Sequence, residues 1–423
     1  MTLSSLKNTF LLLVIGVISC KAEINTAPNN NRTDPPLKTG AEQTERYVSK
    51  LLGKRVAIVA NQTSQIYNGT VSYTEIKDAI NSNTISLEAK NYVHLVDSLV
   101  SRNVNITKVF APEHGFRGRA DAGEKVKDDI DIKTGIPIVS LHGTHRKPTP
   151  EHLKNVDIIV FDIQDVGVRF YTYISTLSLV MEAAAEANIP VLILDRPNPN
   201  GGYIDGPTML KEHTSFLGMH TIPLVHGMTI GEYGKMVNGE GWLAKGIRCE
   251  LEIIPVFAYN KKQPIHIPTR PSPNLPNDKA IALYPTLGLL EGTNLNAGRG
   301  TEMQFQLIGS PYLPANIYTY TYTPKSNFGA KYPKHQNTVC NGLDLRQAVV
   351  ANQIQIEWII EAYNAHTNKA EFFNTKNFTA HAGTPLLQQQ IEAGMSAQDI
   401  RASWQLEIEG FKKIRANYLI YPE

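Results

Sequence analysis

The sequence predicts an α/β protein: a parallel sheet built from βα units in the first half of the chain, followed by a smaller α+β domain. Three observations carry this. From Arg55 onward short apolar runs alternate with amphipathic ones, the pattern of strands joined by helical crossovers. Each apolar run hands over to hydrogen-bonding side chains at the same end. Beyond Gly206 the texture changes, with Pro264, Pro268, Pro271, Pro273 and Pro276 in quick succession, which argues for ordered loops rather than further βα units.

Taken in order, residues 55–61 read as a buried strand ending in the polar Asn61. Residues 92–103 read as a helix, with Val93, Val96, Leu99 and Val100 on one face. Strands follow at 106–110, 137–141 and 157–161. A helix over 173–188 places Leu177, Val180, Met181 and Ala184 on one side, and a fifth strand spans 191–194. Farther on come an aromatic-rich stretch from Tyr312 to Tyr322, a helix from about Leu343 to Ala365, and a tail from Thr384 to Arg415 rich in helix formers. The expected domains are 46–210 and 211–423.

The amino terminus is read separately. Lys7 precedes the apolar run Phe10 to Ile18, then Ser19-Cys20. That run is too short for a permanent membrane span and has the layout of a secretory signal. Ser19 before Cys20 is similar to a bacterial lipoprotein cleavage site, so Cys20 is the expected lipidated residue of a protein anchored in the cell envelope, facing the periplasm or cell surface. Residues 21–45, with Asn29, Asn30, Asn31, Pro35 and Pro36, read as a flexible tether. Cys249 and Cys340 remain, and spacing alone does not say whether they pair.

Composition narrows the function classes. With 423 residues and 42% hydrophobic content the chain can bury a large core. Lys+Arg of 41 against Asp+Glu of 39 leaves a formal charge of +2, so no strong field recruits nucleic acid. No G-x-G-x-x-G follows the first strand and no G-x-x-x-x-G-K-[ST] occurs, so a Rossmann-like sheet here does not imply a nucleotide cofactor. The G-x-S-x-G elbow of serine hydrolases is absent too. His142-Gly143-Thr144-His145 offers two imidazoles, but no H-E-x-x-H or equivalent set accompanies them. Neither a cofactor nor a metal is expected.

The strand ends carry the positive signal. They are Asn61-Gln62-Thr63, Glu113-His114-Gly115, His142-Gly143, Asp162-Ile163-Gln164-Asp165, and Asp195-Arg196-Pro197-Asn198. In a parallel sheet these tips lie along one edge and converge on one cleft. Glycoside hydrolysis needs two carboxylates flanking such a cleft. Glu113 is the first candidate, and Glu291, near Asn294 and Arg299, is the second, with Asp162 or Asp165 as alternatives. Arg117, Arg169, Arg196, Arg270 and Arg299 sit in Gly- or Pro-marked loops, which suggests an anionic substrate held by guanidinium groups. Tyr171 and Tyr173 are candidates to pack on a sugar face.

Together, Ala111-Pro112-Glu113-His114-Gly115-Phe116-Arg117-Gly118, the run from Phe161 to Tyr173, Leu194-Asp195-Arg196-Pro197-Asn198-Pro199, Glu291-Gly292-Thr293-Asn294 and Gly298-Arg299-Gly300-Thr301 resemble the NamZ-type exo-β-N-acetylmuramidases, a bacterial family long known only as a domain of unknown function. The carboxyl end, from Ile400 to Trp404 and on to Tyr421, is similar as well. The resemblance covers about residue 46 to the end; the polar arm before it and the insert-like segment 66–90 lie outside the motifs. It implies a Rossmann-like domain joined to a smaller α+β domain with the active-site cleft between them. It also implies release of β-linked N-acetylmuramic acid from the non-reducing end of peptidoglycan fragments, with Glu113 as catalytic acid and His114 orienting it. The substrate-binding candidates are Asn61, Arg117, His142, Gln164, Asp165, Arg169, Tyr171, Arg196, Asn198, Asn294 and Arg299, the arginines holding the lactyl carboxylate. The competing expectation is a non-catalytic envelope lipoprotein that captures muropeptides or sugars.

Overall fold

In the computed structural model, which describes residues 36–67, 91–118, 128–143 and 145–423, strand β1 (Val56–Ala60) is buried at every position. Ala57 and Val59 enter one apolar cluster, while Val56, Ile58 and Ala60 enter a second on the opposite face. A strand covered on both faces needs no polar side, which is why its sequence is an unbroken apolar run. The helix Tyr173–Glu186 covers the first face and Leu95–Ser101 the second.

Short strands β2 (Gln65–Tyr67) and β3 (Tyr92–His94) pair with each other. The main sheet adds β4 (Ile106–Ala111), β5 (Asp129–Ile130), β6 (Pro137–Ser140), β7 (Ile158–Asp162) and β8 (Val191–Leu194). After an antiparallel ribbon of β9 (Asp205–Thr208) and β10 (Pro223–Val225), strand β11 (Leu251–Ile254) returns to the edge beside β8. The order is β11-β8-β7-β1-β4-β6-β5; all neighbours are parallel except β5, which runs against β6. The smaller domain carries an antiparallel sheet of β12 (Leu307–Ser310), β13 (Tyr320–Tyr322) and β14 (Cys340–Asp344) in the order β12-β14-β13, with the helices Ile356–Ala365, Thr375–Ala382, Leu386–Glu392 and Ala397–Arg415.

All five strands expected from sequence lie in the main sheet; several other readings change. The sheet takes its edge strand from 251–254, past residue 210, where the loop-rich texture suggested no βα units. Its alternating burial, with Glu252 exposed, is that of an edge and hides the strand among loops. Residues 92–94 pair as a strand before the helix begins, because the His94 side chain caps it by accepting from Val96 N at 3.2 Å. Residues 340–344 are a strand and the helix starts at Ile356. Of the tether, residues 36–45 are packed: Gly40 N donates to Asp195 O at 2.8 Å, and Ala41 and Gln43 are buried. The signal segment 1–20, Cys20 and residues 21–35 lie outside the described residues, as do 68–90 of the insert-like segment. Cys249 and Cys340 are separate, buried free thiols.

Candidate active site

At the carboxyl end of β4 the chain turns sharply. His114 and Gly115 both take positive φ, 71° and 75°, and Gly115 N closes the turn onto Pro112 O at 3.0 Å. A histidine in this region is strained. The turn lifts Glu113 off the sheet edge into a cavity of about 330 Å³. There the Thr172 hydroxyl donates to Glu113 Oε2 at 3.3 Å, and the Tyr173 hydroxyl reaches the Glu113 carbonyl at 3.4 Å.

The far wall comes from the second half of the chain. Helix Asp278–Leu287 runs into the tight turn Gly288–Gly292, which presents Glu291 to the same cavity. Arg299 Nη1 donates to Glu291 Oε1 at 2.9 Å and its Nη2 to Gly329 O at 3.2 Å. Glycines bracket this arginine for a steric reason. Gly298 and Gly300 have φ of 74° and 82°, and a Cβ would come within 2.3 Å of Met303 O at the first and 2.6 Å of Pro333 Cγ at the second. Lys334 lies behind, its ammonium donating to Leu290 O at 2.6 Å and Thr293 O at 2.8 Å. Burial, the largest influence on Glu291, pushes its pKa up; Arg299 and Lys334 outweigh that and hold the carboxyl below its ordinary value. That direction favours the ionised form of Glu291.

An aromatic wall joins the two sides. Tyr284 packs edge-on against Phe170 at 5.3 Å and Phe305 at 4.9 Å. Burial first, then Glu291 and Glu113, push its phenol well above the ordinary range, so it stays a neutral donor between the two acids. Tyr171 donates to Pro271 O at 2.7 Å. Of the residues expected from sequence, Glu113, His114, Tyr171, Tyr173, Glu291 and Arg299 line this cavity.

The other candidates are brought elsewhere, each for an identifiable reason. Asp162 is fully buried and accepts a forked pair from Arg196, at 2.6 and 3.0 Å, so both serve as an internal ion pair. Arg117 bridges Asp97 at 3.0 Å and Asp131 at 2.7 Å. Arg169 is fully buried, with Nη1 donating to Pro207 O and Ile222 O and Nη2 to His381 O and Ala382 O. Its guanidinium has no room for a substrate carboxylate. Asn61 accepts from Thr63 N at 2.9 Å, Gln164 donates to Pro197 O at 2.7 Å, Asn198 donates to Met228 O at 2.8 Å, and Asn294 accepts from Ser310 Oγ at 2.9 Å. Asp165 accepts from Gly167 N at 2.7 Å, and burial pushes its carboxyl up to about 7. His142 is half-buried outside the cavity lining. A second, smaller cavity of about 80 Å³ lies over Thr63, Gln164 and Arg196, so the strand tips divide between two hollows rather than sharing one.

Thr172, Tyr284 and His381 line the principal cavity without having been singled out. Thr172 stood inside the run Phe161 to Tyr173. Tyr284 and His381 are on helices with no distinguishing pattern, so sequence carried no signal for them.

Two glutamates lining one hollow at the carboxyl edge of an α/β sheet are the arrangement that glycosidases use. The chain belongs to the family described as exo-beta-N-acetylmuramidase NamZ, whose N-terminal part matches residues 56–279 and whose C-terminal part matches 282–421. It is 36% identical over 429 residues to the peptidoglycan beta-N-acetylmuramidase NamZ of Bacillus subtilis strain 168, covering 97% of each chain. Among solved structures it is similar to two DUF1343 family proteins of Bacteroides fragilis. The first has a TM-score of 0.79 at 40% identity, covering 92% of this chain and all of that one. The second has a TM-score of 0.71 at 28% identity, covering 91% and 99%.

Proposed function

We propose that this enzyme removes β-linked N-acetylmuramic acid from the non-reducing end of peptidoglycan fragments and thereby serves cell-wall turnover and recycling. The observation that carries the reading is that two glutamates, Glu113 and Glu291, line one cavity. Glu291 is held ionised by Arg299 and Lys334, so it acts on the anomeric side, as nucleophile or as the base that directs water. The proton for the leaving oxygen then comes from Glu113, which the Thr172 hydroxyl orients. As the sugar flattens toward an oxocarbenium ion, the Glu291 carboxylate opposes its growing positive charge. A cavity of about 330 Å³ is at the small end of the ~300–1,000 Å³ typical of ligand sites, which suits one substituted sugar ring at a chain end. Arg299 is the arginine at hand for a lactyl carboxylate, sharing its charge between that group and Glu291.

The test is product analysis on a muramic acid–glucosamine disaccharide and on reduced glycan strands. Wild-type protein should liberate one free N-acetylmuramic acid from each non-reducing end and stop at the glucosamine then exposed. Glu113→Gln should lower kcat by about 10³-fold with an unchanged melting curve. Turnover by Glu113→Gln near the wild-type rate, or release of internal fragments, would overturn the assignment.

The lipoprotein reading of the amino terminus, supported by Ser19-Cys20 after the apolar run, completes the proposal by tethering the enzyme to a membrane of the envelope. Cys20→Ser should abolish fatty-acid labelling and shift the protein from the membrane to the soluble fraction. Equal labelling of both proteins would refute it.

A further inference from the structure

We infer that His381 reads a hydrogen-bond donor of the sugar in the cavity, a ring hydroxyl or the acetamido N–H, through its Nε2 atom. The inference rests on the function proposed above for the identity of the ligand.

His381 is in the last turn of the helix Thr375–Ala382, which is fastened at both ends to the active-site wall. At its start, Asn374 N donates to Gly292 O at 2.9 Å, and the helix lies so close that a Cβ on Gly292 would meet Phe378 Cα at 2.3 Å. The helix therefore moves with the turn that carries Glu291. At its end, Arg169 Nη2 takes the carbonyls of His381 at 3.0 Å and Ala382 at 2.6 Å. A buried guanidinium without a carboxylate partner is costly, and here its charge is offset by the negative end of the helix. The His381 backbone is thereby pinned.

The ring has one orientation and one tautomer. It packs against Phe170 at 5.3 Å, and Nδ1 lies 2.8 Å from Asn377 O. A carbonyl can only accept, so Nδ1 carries the hydrogen, and in the neutral ring Nε2 keeps its lone pair. Burial lowers the ring's pKa, with Lys334 and Arg169 adding to it against the opposing influence of Asn377 O and Glu291, so the neutral form prevails. Nε2 makes no hydrogen bond to protein among the described residues, although His381 lines the cavity. A pinned, neutral acceptor there complements Arg299, which donates. The two recognise opposite chemistry on one ligand.

The experiment is a cycle between enzyme and substrate. Wild type, His381→Ala and His381→Gln are assayed on a chromogenic β-N-acetylmuramide and on its 4-deoxy, 6-deoxy and N-methylacetamido analogues, with melting curves to establish folding. His381→Ala should raise KM about tenfold with kcat within about threefold, and His381→Gln, which keeps an acceptor, should recover most of the loss. One analogue should be poor for wild type and show no further loss with His381→Ala. Additive losses for all three analogues, or a fall in kcat with KM unchanged, would overturn the inference. Failure of wild type to cleave the parent glycoside would instead refute the proposed function.

Discussion

Glu291 shows how neighbouring cations set the charge of a carboxyl group. Its side chain is half-buried, yet Arg299 at 2.9 Å and Lys334 behind it reverse the effect of that desolvation. Removing the arginine should undo this. With Arg299→Met the cation that favours the charged form is gone, burial is opposed mainly by Lys334, and the pKa of Glu291 rises. On the role proposed for Glu291, which needs the carboxylate, the acid limb of kcat/KM should move to higher pH, measured on a chromogenic muramide between about pH 3 and pH 8. A limb that stays in place would mean that Glu291 is not the group titrating there. Much of this was readable locally. Glu113 follows an apolar strand and precedes a turn, and Glu291 lies eight residues before an arginine between glycines. What the residues could not disclose is that Arg117, Arg169 and Arg196, in loops of similar texture, would be consumed by Asp131, backbone carbonyls and Asp162.

Arg169 acts between elements. Its four donated bonds join β9 (Pro207) and Ile222, the residue before β10, to the end of the helix Thr375–Ala382, and burial pushes its pKa down to about 9. Arg169→Met would leave four carbonyls without that donor, each unsatisfied buried acceptor costing about 1–3 kcal/mol. We expect a loss of ~3 kcal/mol or more, read by calorimetric or denaturant unfolding. A variant as stable as wild type would show that water replaces the guanidinium. The helices and strands themselves were legible to the extent that their periodicity was unmixed. The strand β1 and the helix Tyr173–Glu186 announce themselves, whereas β3 and the last residues of β14 were absorbed into predicted helices because short strands of a few residues have no periodicity of their own to set against neighbouring apolar positions.

Across the whole molecule, buried charge without full compensation marks a pH dependence of stability. Burial raises the Asp165 carboxyl to about 7, opposed by the backbone N–H groups of Gly167 and Val166, and His226 nearby, 3.9 Å away, is driven down to about 3 by the same burial. A carboxyl whose folded pKa is raised contributes its stability below the unfolded value, near 4, and loses it as pH climbs through 7. Asp165→Asn should therefore leave the melting temperature at pH 4 nearly unchanged and raise stability at pH 8 by up to ~4 kcal/mol; equal shifts at both pH values would contradict the assignment. The division between chain and fold follows from the range of the forces involved. Sequence by itself determined the apolar runs that become the central sheet, the polar tips at their carboxyl ends and the strand-to-loop turn bearing Glu113, because these depend on neighbours a few residues apart. Only the tertiary structure decided which tips face the cavity, since Asp162 meets an arginine 34 positions away and Arg169 a carbonyl 213 positions away. Polar groups buried by such distant contacts must find partners inside the protein, and Glu113, Glu291, Arg299 and His381 line the cavity instead.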